Sequence, residues 1–176
     1  DFLHKQSYPW RQEAWGIMQA TPQHTYQVLT KRPGLAVAWY KTHGWLPNVW
    51  LGTSVESQKY APRIDVLARV PASVRFVSAE PLLGPLDLMS YFYSCHCGVI
   101  PCVCKGLAFH QVIVGGESGP GARPMDLDWA RSLRDQCQKA GGHFFLKQLG
   151  GFPDKRGGLK AVLDGELWHE MPTKRG

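Results

Sequence analysis

The sequence predicts an α/β fold: an incomplete, open parallel β/α barrel of about five strands, with a Cys-rich insertion and a C-terminal β-hairpin. Three observations predict it. Short apolar runs centred on Val28, Leu51, Phe76, Ile113 and Phe145 recur at distances that leave room for a crossover between neighbours. Apolar residues at helical spacing fill most of the intervals. A complete eight-stranded barrel takes about 250 residues, so a chain of 176 leaves the barrel open.

In order, Pro9 to Ala20 reads as a helix, with Pro9 in the first turn and Trp10, Ala14, Ile17 and Met18 near helical spacing. Thr21-Pro22 ends it. Residues 26–30 (YQVLT) form the first strand and are closed by Lys31-Arg32-Pro33; a short helix then runs from Gly34 to His43. Residues 48–53 (NVWLGT) are the second strand. Tyr60, Ile64, Leu67 and Ala68 make an apolar helical stripe, with Pro62 restricting where that helix starts. Residues 74–77 and 111–114 are the third and fourth strands. Asp126 caps a helix that presents Leu127, Ala130, Leu133, Cys137 and Ala140 on one face, and Gly141-Gly142 stops it. The fifth strand is 143–146. Residues 1–150 thus make the partial barrel, interrupted by an insertion at 89–110. Residues 151–176 form a tail, in which Asp164-Gly165 is the two-residue turn of a hairpin and Trp168 is available to pack.

Composition bounds the function classes. With 44% hydrophobic and 19% charged residues, the chain has material for one globular core. A net charge of +6 and a pI near 9.2 admit nucleic acid as a partner, but Lys and Arg are scattered apart from pairs such as Lys155-Arg156. No apolar run approaches the ~20 residues of a membrane span, and the opening residues do not read as a signal peptide. The expectation is a cytoplasmic protein without membrane association. The chain opens on Asp1, and Phe2-Leu3-His4 reads like the end of an earlier element, as in a fragment.

Polar residues gather where strands end. They are Lys31 and Arg32 after the first; Ser54 and Glu56 after the second; Ser78 and Glu80 after the third; Glu117, Ser118 and Arg123 after the fourth; and Lys147 with Gln148 at the fifth. Gly115, Gly116, Gly119 and Gly121 add a backbone able to approach a ligand closely. Each group taken singly also suits an ordinary turn. Parallel sheets, however, bind ligands at the carboxyl ends of their strands, and five polar ends together predict a shared site with Thr30, Glu56, Glu80, Glu117 and Lys147 on one rim. Carboxylates beside cations suit the amine and carboxylate of an amino-acid-like ligand, or phosphates held by Lys and Arg.

Cys95, Cys97, Cys102 and Cys104 lie as C-x-C-x4-C-x-C in CHCGVIPCVC. Four thiols so close in a cytosolic-looking chain favour a metal over disulfides, and zinc accepts four thiolates. C-x-C is not zinc's usual C-x2-C, and a reduced surface cluster is the other reading. Because the insertion replaces a helix, the expectation is a structural staple. Cys137, on an apolar helix face, reads as core.

The segments TPQHTYQVLTKRP (21–33), LPNVWLGTSVES (46–57), VRFVSAEPLLGPLDL (74–88), VIVGGESGPGARPMDLDWARSLRDQC (112–137), FFLKQLGG (144–151) and LDGELWHEMP (163–172) carry a resemblance. The chain resembles an uncharacterised phage-associated protein family whose full-length members are similar to radical SAM enzymes. The resemblance implies an incomplete β/α barrel preceded by a three-cysteine motif that holds a [4Fe-4S] cluster. That motif is absent here, and Cys95 to Cys104 do not stand in for it. The resemblance therefore implies a C-terminal portion that contributes the substrate and S-adenosylmethionine (SAM) side of a strand-end site. A missing N-terminal segment, or a partner chain, would carry the three cysteines, and this chain would be inactive alone. The alternative is a non-enzymatic, zinc-stapled basic module that binds nucleic acid or a partner protein.

Overall fold

The computed structural model describes residues 2–93 and 106–173. Five strands form one sheet: β1 (Tyr26–Thr30), β2 (Val49–Ser54), β3 (Arg75–Ala79), β4 (Gln111–Gly115) and β5 (His143–Gln148). They lie side by side in chain order, and every neighbouring pair is parallel. The helices are α1 (Tyr8–Ala20), α2 (Pro33–His43), α3 (Arg63–Leu67), α4 (Met89–Phe92) and α5 (Leu127–Ala140). A separate antiparallel hairpin pairs β6 (Val162–Leu163) with β7 (Glu166–Leu167). The chain is thus mixed α/β, with the parallel strands at the places the apolar runs mark. Among the described residues the sheet is open, with β1 and β5 as its outer strands. No helix among them is long and apolar enough to cross a membrane.

Parallel neighbours joined in chain order by right-handed crossovers carry every connection on the same face. Burial agrees. Val28, Val49 and Leu51 pack with Trp15, Ala36, Trp39 and Leu67. Val77, Val112, Val114, Phe144 and Leu146 pack with Ile64, Phe92, Leu133 and Cys137. Alternate strand residues point the other way, where Trp50, Val74 and Phe76 form a separate cluster with Ile113. Gly52 makes room for it: a Cβ there would lie 2.2 Å from the Phe76 ring.

Helix α5 follows its sequence signals. The Asp126 carboxylate accepts the Asp128 N–H at 2.9 Å, and Gly141 closes the helix at φ 75°, where glycine carries no Cβ penalty. Helix α3 departs from expectation. It has five residues, and Tyr60 belongs to a preceding 3-10 turn, Gln58–Tyr60. Pro62 explains the break, because it has no N–H to carry an i→i−4 ladder across it, and Ala61 instead closes the 3-10 turn by donating to the Gln58 carbonyl.

The β3–β4 connection contains only the four-residue α4 among its described parts. The two ends of that connection are joined. Ala108 N–H donates to the Phe92 carbonyl at 2.8 Å, and the Phe92 and Phe109 rings lie 4.2 Å apart. The Arg75 guanidinium donates to the carbonyls of Ala108 (2.5 Å), Leu107 (3.1 Å), Ala72 (3.2 Å) and Val70 (3.3 Å), and burial lowers its pKa below the ordinary arginine value. Cys95, Cys97, Cys102 and Cys104 lie outside the described residues, as does much of the 89–110 insertion. Cys137 is fully buried in the core.

The tail covers the outer edge of β5. Leu146 N–H donates to the Trp168 carbonyl at 2.7 Å, and Glu170 N–H to that of Phe144 at 3.2 Å. Asp164 (φ 55°) and Gly165 (φ 83°) both take the positive φ of a tight hairpin turn. Asp164 also accepts from Arg131 and Arg134, and Arg134 sits 5.3 Å from the Trp168 ring centre, so the hairpin is held to α5.

Replacing Gly52 with Ala is expected to destabilise the protein by about 1–3 kcal/mol in urea unfolding, since the new methyl overpacks against Phe76. Combining it with Phe76→Leu is expected to cost less than the two changes summed. An unchanged midpoint for Gly52→Ala alone would show that the ring does not rest there.

Candidate functional site

Strand alternation decides which side chains reach the open face. They include Gln27 and Leu29 from β1, Phe76 and Ser78 from β3, Ile113 from β4, and Phe145 and Lys147 from β5. Together with Glu80 and Met171 they line a cleft of about 470 Å³. Phe76, held over Gly52, fills its lower part, so the space opens towards the carboxyl ends of the strands. Small-molecule sites are commonly apolar clefts of roughly this size with a few polar groups.

The polar groups at its mouth are coupled. Lys147 Nζ donates to Glu80 Oε2 at 2.9 Å. Gly115 permits this: a Cβ there would lie 3.1 Å from the Glu80 side chain, which rests over that position. A register shift helps too. Val114 pairs with Leu146 but Gly115 with Gln148, so Lys147 is the extra residue of a bulge, a feature that re-aims side chains.

A second charged group stands at the ends of β1 and β2. Glu56 accepts from Lys31 at 2.5 Å and from Arg63 at 3.2 Å, and Arg63 also donates to the Ser54 carbonyl at 2.7 Å. Burial pushes the Glu56 carboxyl up, but the Lys31 hydrogen bond, its own backbone and the charges of Lys31 and Arg63 outweigh it. The net pKa lies below the ordinary value. Arg63 covers the Tyr60 ring at 4.2 Å, bracing α3. Lys31 and Ser54 also border a groove of about 400 Å³ that runs along β1 from Gln27, with Phe2 and Met18 on its other side. The Arg32 N–H donates to Thr30 Oγ1 at the start of α2.

The loop after β4 forms a third group. Arg123 grips Glu117 with its side-chain Nε and Nη2, both at 2.8 Å, and with its backbone N–H at 2.9 Å. These hydrogen bonds hold the Glu117 carboxyl down to about 2. Gly116 is occupied by protein rather than open to a ligand, because a Cβ there would lie 2.2 Å from the Leu149 carbonyl. Ser118 bridges to Gly151, and buried Gln148 donates to the Gly116 carbonyl at 2.8 Å.

Of the residues the sequence singles out, Ser78, Glu80 and Lys147 therefore meet at one cleft, with Gly115 against the Glu80 side chain. Lys31, Ser54 and Glu56 form a neighbouring group, and Glu117 with Arg123 a self-contained pair. Sequence reasoning missed the apolar lining and Arg63. The signal was present as period-two alternation in Gln27-x-Leu29, Phe76-x-Ser78-x-Glu80 and Phe145-x-Lys147. Among the described residues no three His, Cys, Asp or Glu side chains converge as metal ligands.

The depressed Glu117 value has a sign. The pair contributes stability at neutral pH that is lost as pH falls from the ordinary carboxyl range towards 2. An NMR titration of the Glu117 carboxyl is expected to show a midpoint near 2, and Arg123→Gln to return it towards about 4.3. A midpoint in the ordinary range in the unmodified protein would mean that the grip is not populated.

No curated protein and no solved structure matches the chain. One family model does match, over residues 1–172. Its description is "Protein of unknown function (DUF5131)", and since the match spans nearly the whole length, the chain belongs to that family.

Proposed function

We propose that this chain forms the substrate and SAM side of a strand-end active site in an open β/α barrel of the phage-associated, radical-SAM-like kind. An upstream segment or partner chain would supply the three-cysteine motif and its [4Fe-4S] cluster. One observation carries the reading. Ser78, Glu80 and Lys147 meet over an apolar cleft at the carboxyl ends of parallel strands whose helices lie on the other face, as a barrel's inner face requires.

The described residues do not fit an iron–sulfur cluster. Their one thiol, Cys137, is sealed beneath α5; burial first and the Glu170 charge second push it up to about 12. No chemical step through a cluster is assigned to them. SAM fits better, because the Lys31–Glu56 pair beside the cleft offers opposite charges to its ammonium and carboxylate. In equilibrium dialysis the isolated chain is expected to bind SAM saturably. After anaerobic iron and sulfide reconstitution with dithionite, it is expected to release no 5′-deoxyadenosine above the no-protein blank. Absence of saturable binding up to about 1 mM SAM would sink the reading, and so would cleavage by this chain alone.

A structural zinc on Cys95, Cys97, Cys102 and Cys104 belongs to the same proposal. Its support is the pair of joined ends at Phe92 and Ala108, between which thiolate binding would organise the intervening residues. Protein purified without added zinc is expected to carry about one equivalent, and less than about a tenth would dispose of the staple. The nucleic-acid reading has weaker support, because Lys31, Arg123 and Lys147 each face a carboxylate.

A further inference from the structure

We infer that the substrate of the cleft is an α-amino acid with an uncharged, apolar and preferably planar side chain, its zwitterionic head seated between Glu80 and Lys147. The inference rests on the cleft being the ligand site. It adds what that site selects.

The argument begins with charge. Glu80 and Lys147 stand 2.9 Å apart at the mouth, one accepting and one donating. A phosphate or simple carboxylate entering there gains Lys147 but meets the Glu80 charge; a simple amine meets the reverse. A group bearing both charges satisfies both. Its ammonium donates to Glu80 and its carboxylate accepts from Lys147, so each protein charge keeps an opposite partner after the direct pair opens. The Lys147 side chain is 51% exposed and that of Glu80 22%, so the pair is accessible to exchange. Pairs this exposed contribute little to stability, which makes opening one inexpensive.

The body follows from the floor. Below the pair the cleft is lined by Leu29, Phe76, Ile113, Phe145 and Met171, with the polar groups of Ser78 and Gln27 between them. None of these carries a charge, so a charged side chain would be desolvated without a partner. The aromatic rings are fixed: Phe76 lies over Gly52, and Phe145 stacks on His169 with ring centres 4.6 Å apart. Fixed rings favour a flat partner.

Calorimetry with the full chain tests this, using L-phenylalanine as the probe, against 3-phenylpropionate (no amine), phenethylamine (no carboxylate) and L-alanine (no ring). L-phenylalanine is expected to bind at least about tenfold more tightly than each of the three, the difference a single well-made polar or apolar contact supplies. Glu80→Gln is expected to abolish the preference over 3-phenylpropionate, and Lys147→Met the preference over phenethylamine. Both positions are at the surface, and circular dichroism checks that each variant folds. Equal binding of L-phenylalanine and its deaminated or decarboxylated analogues overturns the assigned head. Equal binding of L-alanine overturns the assigned body. Binding of SAM without L-phenylalanine removes this inference and leaves the proposed function standing. L-phenylalanine binding with the expected pattern, but no SAM binding, does the reverse.

Discussion

Everything in this molecule depends on one constraint: five parallel strands, joined in chain order, receive all their crossovers on the same side. Helices α2, α3 and α5 then cover one face, where Val28, Val49 and Leu51 form one buried cluster and Val77, Val112, Val114 and Phe144 another. Among the described residues no helix packs on the other face, which is finished by its own side chains. Trp50 and Phe76 do this in the lower half. Towards the carboxyl ends Ser78, Glu80 and Lys147 add polar groups to an apolar lining, and a cleft results.

The charged groups around that cleft differ in what they do, and burial separates them. The Glu56 side chain is 9% exposed and accepts from two cations, one of which also holds the Ser54 carbonyl and covers Tyr60. Losing either cation would leave a nearly buried carboxylate less compensated, so the group also braces β2 against α3. The Glu80–Lys147 pair is open to water and worth about 0–1 kcal/mol. Stability alone gives little reason to keep it, whereas a ligand that needs two opposite charges gives a good one. Its placement over Gly115, with Lys147 at the register shift between β4 and β5, points the same way.

Much of the fold was legible because parallel strands are buried on both sides and appear as short apolar runs, as Val112-Ile113-Val114 does. Asp126 and Gly141 marked α5, and Asp164-Gly165 the hairpin, since each sits where its backbone geometry demands it. The shortening of α3 was half legible, in Pro62. The site was less so. Sequence order gives the strand end on which Glu80 and Lys147 stand, but their meeting depends on a register shift and on the missing Cβ of Gly115, which only the packed sheet reveals. Gly116 suits the close approach of a ligand in sequence, yet it serves the close approach of Leu149, and Glu117 is taken by Arg123. The web of carbonyls around Arg75 left no trace in the sequence, because backbone acceptors carry no residue code.

That web has a consequence for how such a chain can vary. Phe92 and Ala108, at the described ends of the β3–β4 connection, are held beside each other by one hydrogen bond and by the rings of Phe92 and Phe109, and the Arg75 guanidinium fixes the Ala108 end. A connection whose two ends are held together transmits little of its length to the sheet. Doubling a flexible closure costs only about 0.6 kcal/mol. The β3–β4 connection is therefore a natural graft point: cysteine-rich, longer or wholly foreign inserts can be exchanged there without disturbing the register of a single strand.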